Sequence, residues 1–162
     1  MSDILNMGGR VSLVTGAGQG VGAQIAKHLA SASNSGGVAV NDYFIERAEA
    51  VADEINSAGG KAIAVQADVS DRASVEAMVA KTEEALGTVG VLVNNAGNAG
   101  AEPIPEQRKP FWETDKDIWD RTIGVNFYGV INCVGAVLPG MMKRQAPGAL
   151  SALSLMPAAM AI

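Results

Sequence analysis

Val11-Ser12-Leu13-Val14-Thr15-Gly16-Ala17-Gly18-Gln19-Gly20-Val21-Gly22 sets the architecture. Its first five residues form a short β-branched run, apolar on both faces, as expected of a strand buried inside a parallel sheet, and glycines end it. From Val21 to Ala30, the apolar residues Val21, Ile25, Ala26 and Leu29 recur at helical spacing until Asn34-Ser35-Gly36-Gly37 stops the pattern. A glycine turn between strand and helix collects backbone N–H groups at the positive end of the helix dipole, which suits a pyrophosphate. The spacing is G-x-x-x-G-x-G on Gly16, Gly20 and Gly22, since Val21 occupies the place of the third glycine of G-x-G-x-x-G.

Working outward, Val38-Ala39-Val40 begins a second strand, and Ile45 to Ala58 makes a second helix closed by Gly59-Gly60. Ala62 to Val65 repeats the strand pattern. Ser70-Asp71 can cap a third helix carrying Val75, Met78, Val79 and Leu86, and Val89 to Val93 is a fourth strand. Strict β-α alternation requires right-handed crossovers and a parallel sheet covered on both faces. The expected fold is therefore α/β: one doubly wound, Rossmann-type, three-layer αβα domain over residues 1–162. Residues 97–110, rich in Gly, Pro and charge, read as a long surface loop. Thr114 with Asp117 resembles a capping box opening a long helix on Ile118, Trp119, Ile123, Phe127, Val130, Ile131, Val134 and Leu138, in which Gly124, Gly129 and Gly135 allow close packing. Residues 149–157 are a candidate fifth strand, and residues 149–162 form an atypical tail.

The 162 residues carry Lys+Arg 12 against Asp+Glu 17, a net charge of −5, and so supply no basic face for nucleic acid. A single cysteine excludes an internal disulfide, and with no leader pattern at the start the expected location is cytoplasmic. Apolar stretches are interrupted before the roughly 20 residues a bilayer requires, so no membrane span is expected. His28 stands without a Cys, His or carboxylate cluster, so no metal site is expected. Cys133 reads as a small hydrophobe on the long helix, and Trp112 and Trp119 read as anchors of the preceding loop.

Asp42 closes the second strand about twenty residues after Gly22, the distance at which a carboxylate meets the ribose hydroxyls of NAD and repels a 2′-phosphate. Arg47 is the first cation near it. Asp68 and Val69 end the third strand in a comparable way, where a carboxylate could accept from an adenine amino group and an apolar side chain could flank the ring; an ordinary loop aspartate or helix cap is the competing reading. Asn94-Asn95-Ala96-Gly97 leave room and supply amides at the carboxyl edge of the sheet.

Together, Thr15 to Gly22, Asp42, Asp68-Val69, Asn94 to Gly97 and Asn126 resemble the short-chain dehydrogenase/reductase family from about Arg10 to Arg144. The resemblance implies that Gly16, Gln19 and Val21 line the cofactor, Gly20 and Gly22 allow its close approach, and Asp42 selects NAD. It further implies that Asp68 and Val69 contact adenine, Asn95 and Gly97 border the nicotinamide-side ribose, and Asn126 bends the long helix and holds a water of the proton relay. The implied chemistry is hydride exchange between nicotinamide and a small-molecule alcohol or ketone, with homo-oligomers common.

The family's Tyr-x-x-x-Lys pair is missing, because Tyr43 is followed four residues on by Arg47 and Tyr128 by Asn132. Ser154 is the nearest candidate for the family's catalytic serine, with Ser151 next. The expectation is a fold incomplete on its C-terminal side, through truncation or a frame shift. Residues 148–162 can be back-translated so that the neighbouring frame reads Arg-Ile-Val-Ser-Val-Val-Ser-Asp-Ala-Gly-Arg-Asp-Gly-Tyr, a string similar to the family's fifth strand and serine. The alternative to an oxidoreductase is a catalytically inactive NAD-binding module or truncated fragment.

Overall fold

The computed structural model describes residues 6–97, 110–144 and 148–152. Five parallel strands, β1 (Val11–Val14), β2 (Val38–Asp42), β3 (Ala62–Gln66), β4 (Val89–Asn94) and β5 (Ala149–Ala152), lie in the order β3-β2-β1-β4-β5. Helices α1 (Gly20–Ser31), α2 (Ile45–Ser57) and α3 (Arg72–Leu86) connect the first four strands. A 3₁₀ turn at Phe111–Glu113 precedes α4 (Lys116–Ile123), a π-helical turn (Gly124–Tyr128) and α5 (Gly129–Lys143), which run on as one helix.

Alternation along the strands builds two cores. On one face Leu13, Ala39 and Leu92 pack with Val75 and Met78 of α3 and with Cys133 and Val137 of α5. On the other, Val14, Val38, Val40 and Val93 pack with Ala23 and Ala26 of α1 and with Ala48, Val51 and Ile55 of α2. Each fully buried Leu or Val side chain contributes about 1.5–3 kcal/mol of hydrophobic stabilisation. The doubly wound α/β architecture is thus present, and the chain's path reverses between β1 and β4, where such sheets open a crevice at their carboxyl edge.

The helix from Lys116 to Lys143 departs from the sequence expectation in three ways. Asp115 is its N-cap residue, whereas the Thr114 hydroxyl donates to the Pro110 carbonyl (3.2 Å), so no capping box forms. Its buried stripe in α5 is Gly129, Cys133, Val137 and Met141, while Ile123, Phe127, Ile131 and Leu138 are exposed. It is also long and apolar enough, by length and composition, to cross a membrane, a property the interrupted apolar runs had concealed. The cause is a second apolar face in addition to the one packed on α3 and β4. The fifth strand is confirmed over Ala149–Ala152, all four residues being exposed. Residues 153–157 of the expected strand, Ser154 included, lie outside the described residues.

Candidate functional site

The carboxyl ends of β1, β2 and β4 converge on the glycine turn. Gly16 adopts φ +60°, and a Cβ there would stand 2.7 Å from the Ala96 backbone, so turn and β4 loop touch as only glycine permits. Gly22 is packed as tightly: a Cβ would meet the Asn95 amide nitrogen at 2.4 Å and the Gly16 carbonyl at 2.5 Å. Gly20 faces open space at the first turn of α1. Gln19 is the N-cap residue but gives no side-chain cap, and no acidic residue occupies that first turn. Helix N–H groups left without a side-chain acceptor at an open glycine form a cradle for an anion. Val21, beside it, is 54% exposed.

Thr15 ties the turn to β4. Its buried hydroxyl accepts from the N–H groups of Asn95 and Ala96 (both 3.1 Å). The Asn95 amide donates to the carbonyls of Thr15 (3.0 Å) and Gly16 (2.9 Å). Asn95, assigned to the ribose border, is therefore a buried clamp on the glycine turn as well. The side-chain carbonyls of Asn94 and Asn95 are buried without a hydrogen-bond partner among the described residues. Gly97 follows at the crevice, and a Cβ on it would lie 2.8 Å from the Asn126 side-chain oxygen. Asn126 itself sits in the π-helical turn, its amide donating to the Thr122 carbonyl (3.0 Å). The structure thus brings Asn126 and Gly97 together across the crevice.

Asp42 is buried at the end of β2. One carboxylate oxygen accepts from the Gly18 N–H (3.0 Å) and the other from the Phe44 N–H (3.1 Å). These contacts aim the carboxylate at the glycine turn, and Gly18 has no room for a Cβ, which would stand 2.7 Å from the Asp42 carboxylate and 2.5 Å from Arg47 Cβ. Asp68 lies two residues past the end of β3, not at its last residue, and accepts from the Ser70 N–H (2.9 Å) and hydroxyl (2.6 Å). Val69 is buried in the core against Gly129, where a Cβ would be 2.8 Å from its methyl.

Sequence reasoning left Thr15, Gly18 and Asn41 without roles. Asn41 is buried in β2, and its amide donates to the carbonyls of Val65 (3.1 Å) and Ala67 (3.4 Å), stitching the loop that carries Asp68. The signal for Asn41 was present: a polar residue at a position where an inner strand buries both faces. Tyr43 and Trp112 are largely exposed, and residues 98–109 of the loop that Trp112 was expected to anchor lie outside the described residues. Cys133 is fully buried, and loss of hydration pushes its thiol up to about 12, partly opposed by the nearby Arg72 cation. His28 is exposed, and among the described residues no cluster of His, Cys, Asp or Glu could hold a metal ion.

A family model described as short chain dehydrogenase matches residues 10–154. The 3-oxoacyl-(acyl-carrier-protein) reductase FabG of Staphylococcus aureus is 38% identical over 144 residues, which are 88% of this chain and 54% of that protein. The (2S)-[(R)-hydroxy(phenyl)methyl]succinyl-CoA dehydrogenase subunit BbsD of Thauera aromatica is 35% identical over 136 residues, 84% of this chain and 51% of its own. The crystal structure of a hydroxysteroid dehydrogenase from Escherichia coli superposes with a TM-score of 0.83 at 31% identity, covering 96% of this chain and 62% of that one. The chain spans about half the length of the curated relatives it matches.

Proposed function

This chain belongs to the short-chain dehydrogenase family, and from that premise we propose that residues 1–162 are the cofactor-holding part of an NAD-dependent oxidoreductase acting between a small-molecule alcohol and a ketone. The observation that carries the reading is the Asp42 carboxylate, buried and held by the Gly18 and Phe44 N–H groups beside the glycine turn. A ribose there would offer its hydroxyls to a fixed acceptor, whereas a 2′-phosphate would meet a like charge.

The residues present fit a dinucleotide. The uncapped start of α1 around Gly20 would take the pyrophosphate, with Gln19 and Val21 along it. Asp42 would take the adenosine ribose, and Asp68 the adenine amino group with its remaining acceptor capacity. Val69 would serve from behind, positioning the Asp68 loop against α5. Asn95 and Gly97 would border the far ribose, and Asn126, opposite Gly97, would hold a water at its side-chain oxygen. When bound, the nicotinamide supplies the hydride acceptor or donor. The sequence has no Tyr-x-x-x-Lys, so residues 1–162 alone are expected to bind NAD without turnover; Ser154 is the proposed polarising hydroxyl of a complete site.

Titration of the chain with NAD and NADP tests this reading. Wild type should prefer NAD. Asp42→Ala, by removing hydrogen bonds to a charged acceptor, should weaken NAD by about ten-fold or more and narrow the gap to NADP. Equal affinities of wild type and Asp42→Ala for both nucleotides, or no binding of either by wild type, overturn the reading.

A further inference from the structure

Asp42 is not the only charged group at the end of β2. The stem of Arg47 and the Asp42 carboxylate both close on Gly18: a Cβ placed there would be 2.5 Å from Arg47 Cβ and 2.7 Å from Asp42 Oδ2. A guanidinium on so long a stem is the natural counterion for the carboxylate, and the natural partner for a 2′-phosphate placed beside it. Yet no ion pair joins Arg47 to Asp42 among the described residues. The guanidinium carbon instead lies 4.4 Å above the centroid of the Phe44 ring. Phe44 is itself held in place: its N–H donates to Asp42 Oδ1, and its ring meets Tyr43 edge-on with centroids 5.2 Å apart.

We propose that Phe44 is a positioning residue for cofactor selectivity, keeping the Arg47 guanidinium on its ring face and away from the 2′ position, so that Asp42 repels a 2′-phosphate without opposition. To neutralise that phosphate, Arg47 would first have to leave the ring and forfeit a cation–π contact. Carboxylate, ring and guanidinium thereby act as one unit, in which Asp42 fixes the backbone of Phe44 and Phe44 fixes the charge of Arg47. The inference rests on the placement of the adenosine ribose at Asp42 given under Proposed function.

The test is titration of the full chain with NAD, NADP and 2′,5′-ADP. Phe44→Leu, which keeps apolar bulk but removes the π face, should tighten NADP and 2′,5′-ADP by about three-fold and leave NAD unchanged. Phe44→Tyr should behave as wild type, and the added Arg47→Gln in Phe44→Leu should cancel the gain. Arg47→Gln alone should leave NADP affinity at the wild-type level, because a parked guanidinium contributes nothing to phosphate. An unchanged NADP-to-NAD ratio in Phe44→Leu, a gain that survives Arg47→Gln, or a loss of NADP affinity in Arg47→Gln alone overturns the inference while the NAD reading stands. Absence of NAD binding in wild type overturns both.

Discussion

Two side chains concentrate the residue-scale physics. Thr15 places one hydroxyl, 1% exposed, between the glycine turn and two consecutive backbone N–H groups of the β4 loop. Thr15→Val keeps the β-branched shape and removes the acceptor, leaving two buried donors unsatisfied. The expected cost is about 2–4 kcal/mol in urea unfolding, whereas Thr15→Ser should recover most of it; equal stability of Thr15→Val and wild type would refute the hub. Cys133 carries a pH signature. Its thiol is pushed up to about 12 in the fold from an ordinary value of 9.0. Below pH 9 the thiol is neutral in both folded and unfolded chains and favours neither. Between pH 9 and 12 only the unfolded chain ionises, so stability falls there by up to about 1.4 kcal/mol per pH unit. The difference between wild type and Cys133→Ala in urea midpoints should therefore change above pH 9 and stay constant below it.

At the scale of elements, glycines in one helix have opposite meanings. Gly129 starts α5 against Val69, where a Cβ would stand 2.8 Å from a methyl buried in the core. The atoms nearest a Cβ on Gly135 would be those of the Arg72 guanidinium, at 2.6 Å, the far end of a flexible side chain. Gly129→Ala should destabilise by about 1–3 kcal/mol through overpacking, while Gly135→Ala should gain up to about 1 kcal/mol from helix propensity. Thermal melts of the two variants that move the same way would refute the distinction. The sequence reading placed Gly124, Gly129 and Gly135 alike in close contacts, because periodicity shows that a face is apolar but not what stands opposite. The β1–turn–α1 unit was legible for the contrary reason: a buried strand, the G-x-x-x-G-x-G spacing and an amphipathic helix are local patterns. Thr15, Asn41 and Asn95 bond to strands or turns 24 to 81 residues away, and no local pattern encodes such partners. Asp115, whose side chain makes no cap hydrogen bond, stands as the N-cap residue in place of Thr114, a shift of one residue at a helix end, where boundaries fray.

For the whole molecule, the helix from Lys116 to Lys143 has two apolar faces, and the fold uses one. Cys133, Val137 and Met141 are committed to the core, so this helix could enter a bilayer only by dismantling the packing against α3 and β4. Its other side shows Ile123 (44% exposed), Phe127 (60%), Ile131 (50%) and Met142 (73%), a stripe repeating every four residues over its first half. At about 1.5 Å per residue, the helix is long enough for a second copy to lie along it, and contiguous apolar surface on this scale marks an association site. We expect a homo-oligomer joined through this stripe. Phe127→Glu/Ile131→Glu adds two charges to a chain already at −5 without touching the buried residues of either core. Sedimentation velocity should show wild type sedimenting as an assembly and the double variant as a monomer, with NAD binding by each monomer retained because Asp42 and the glycine turn lie at other elements. Identical sedimentation of the two chains would remove the stripe from the interface, and a monomer that no longer binds NAD would show that the assembly, not the single chain, shapes the crevice.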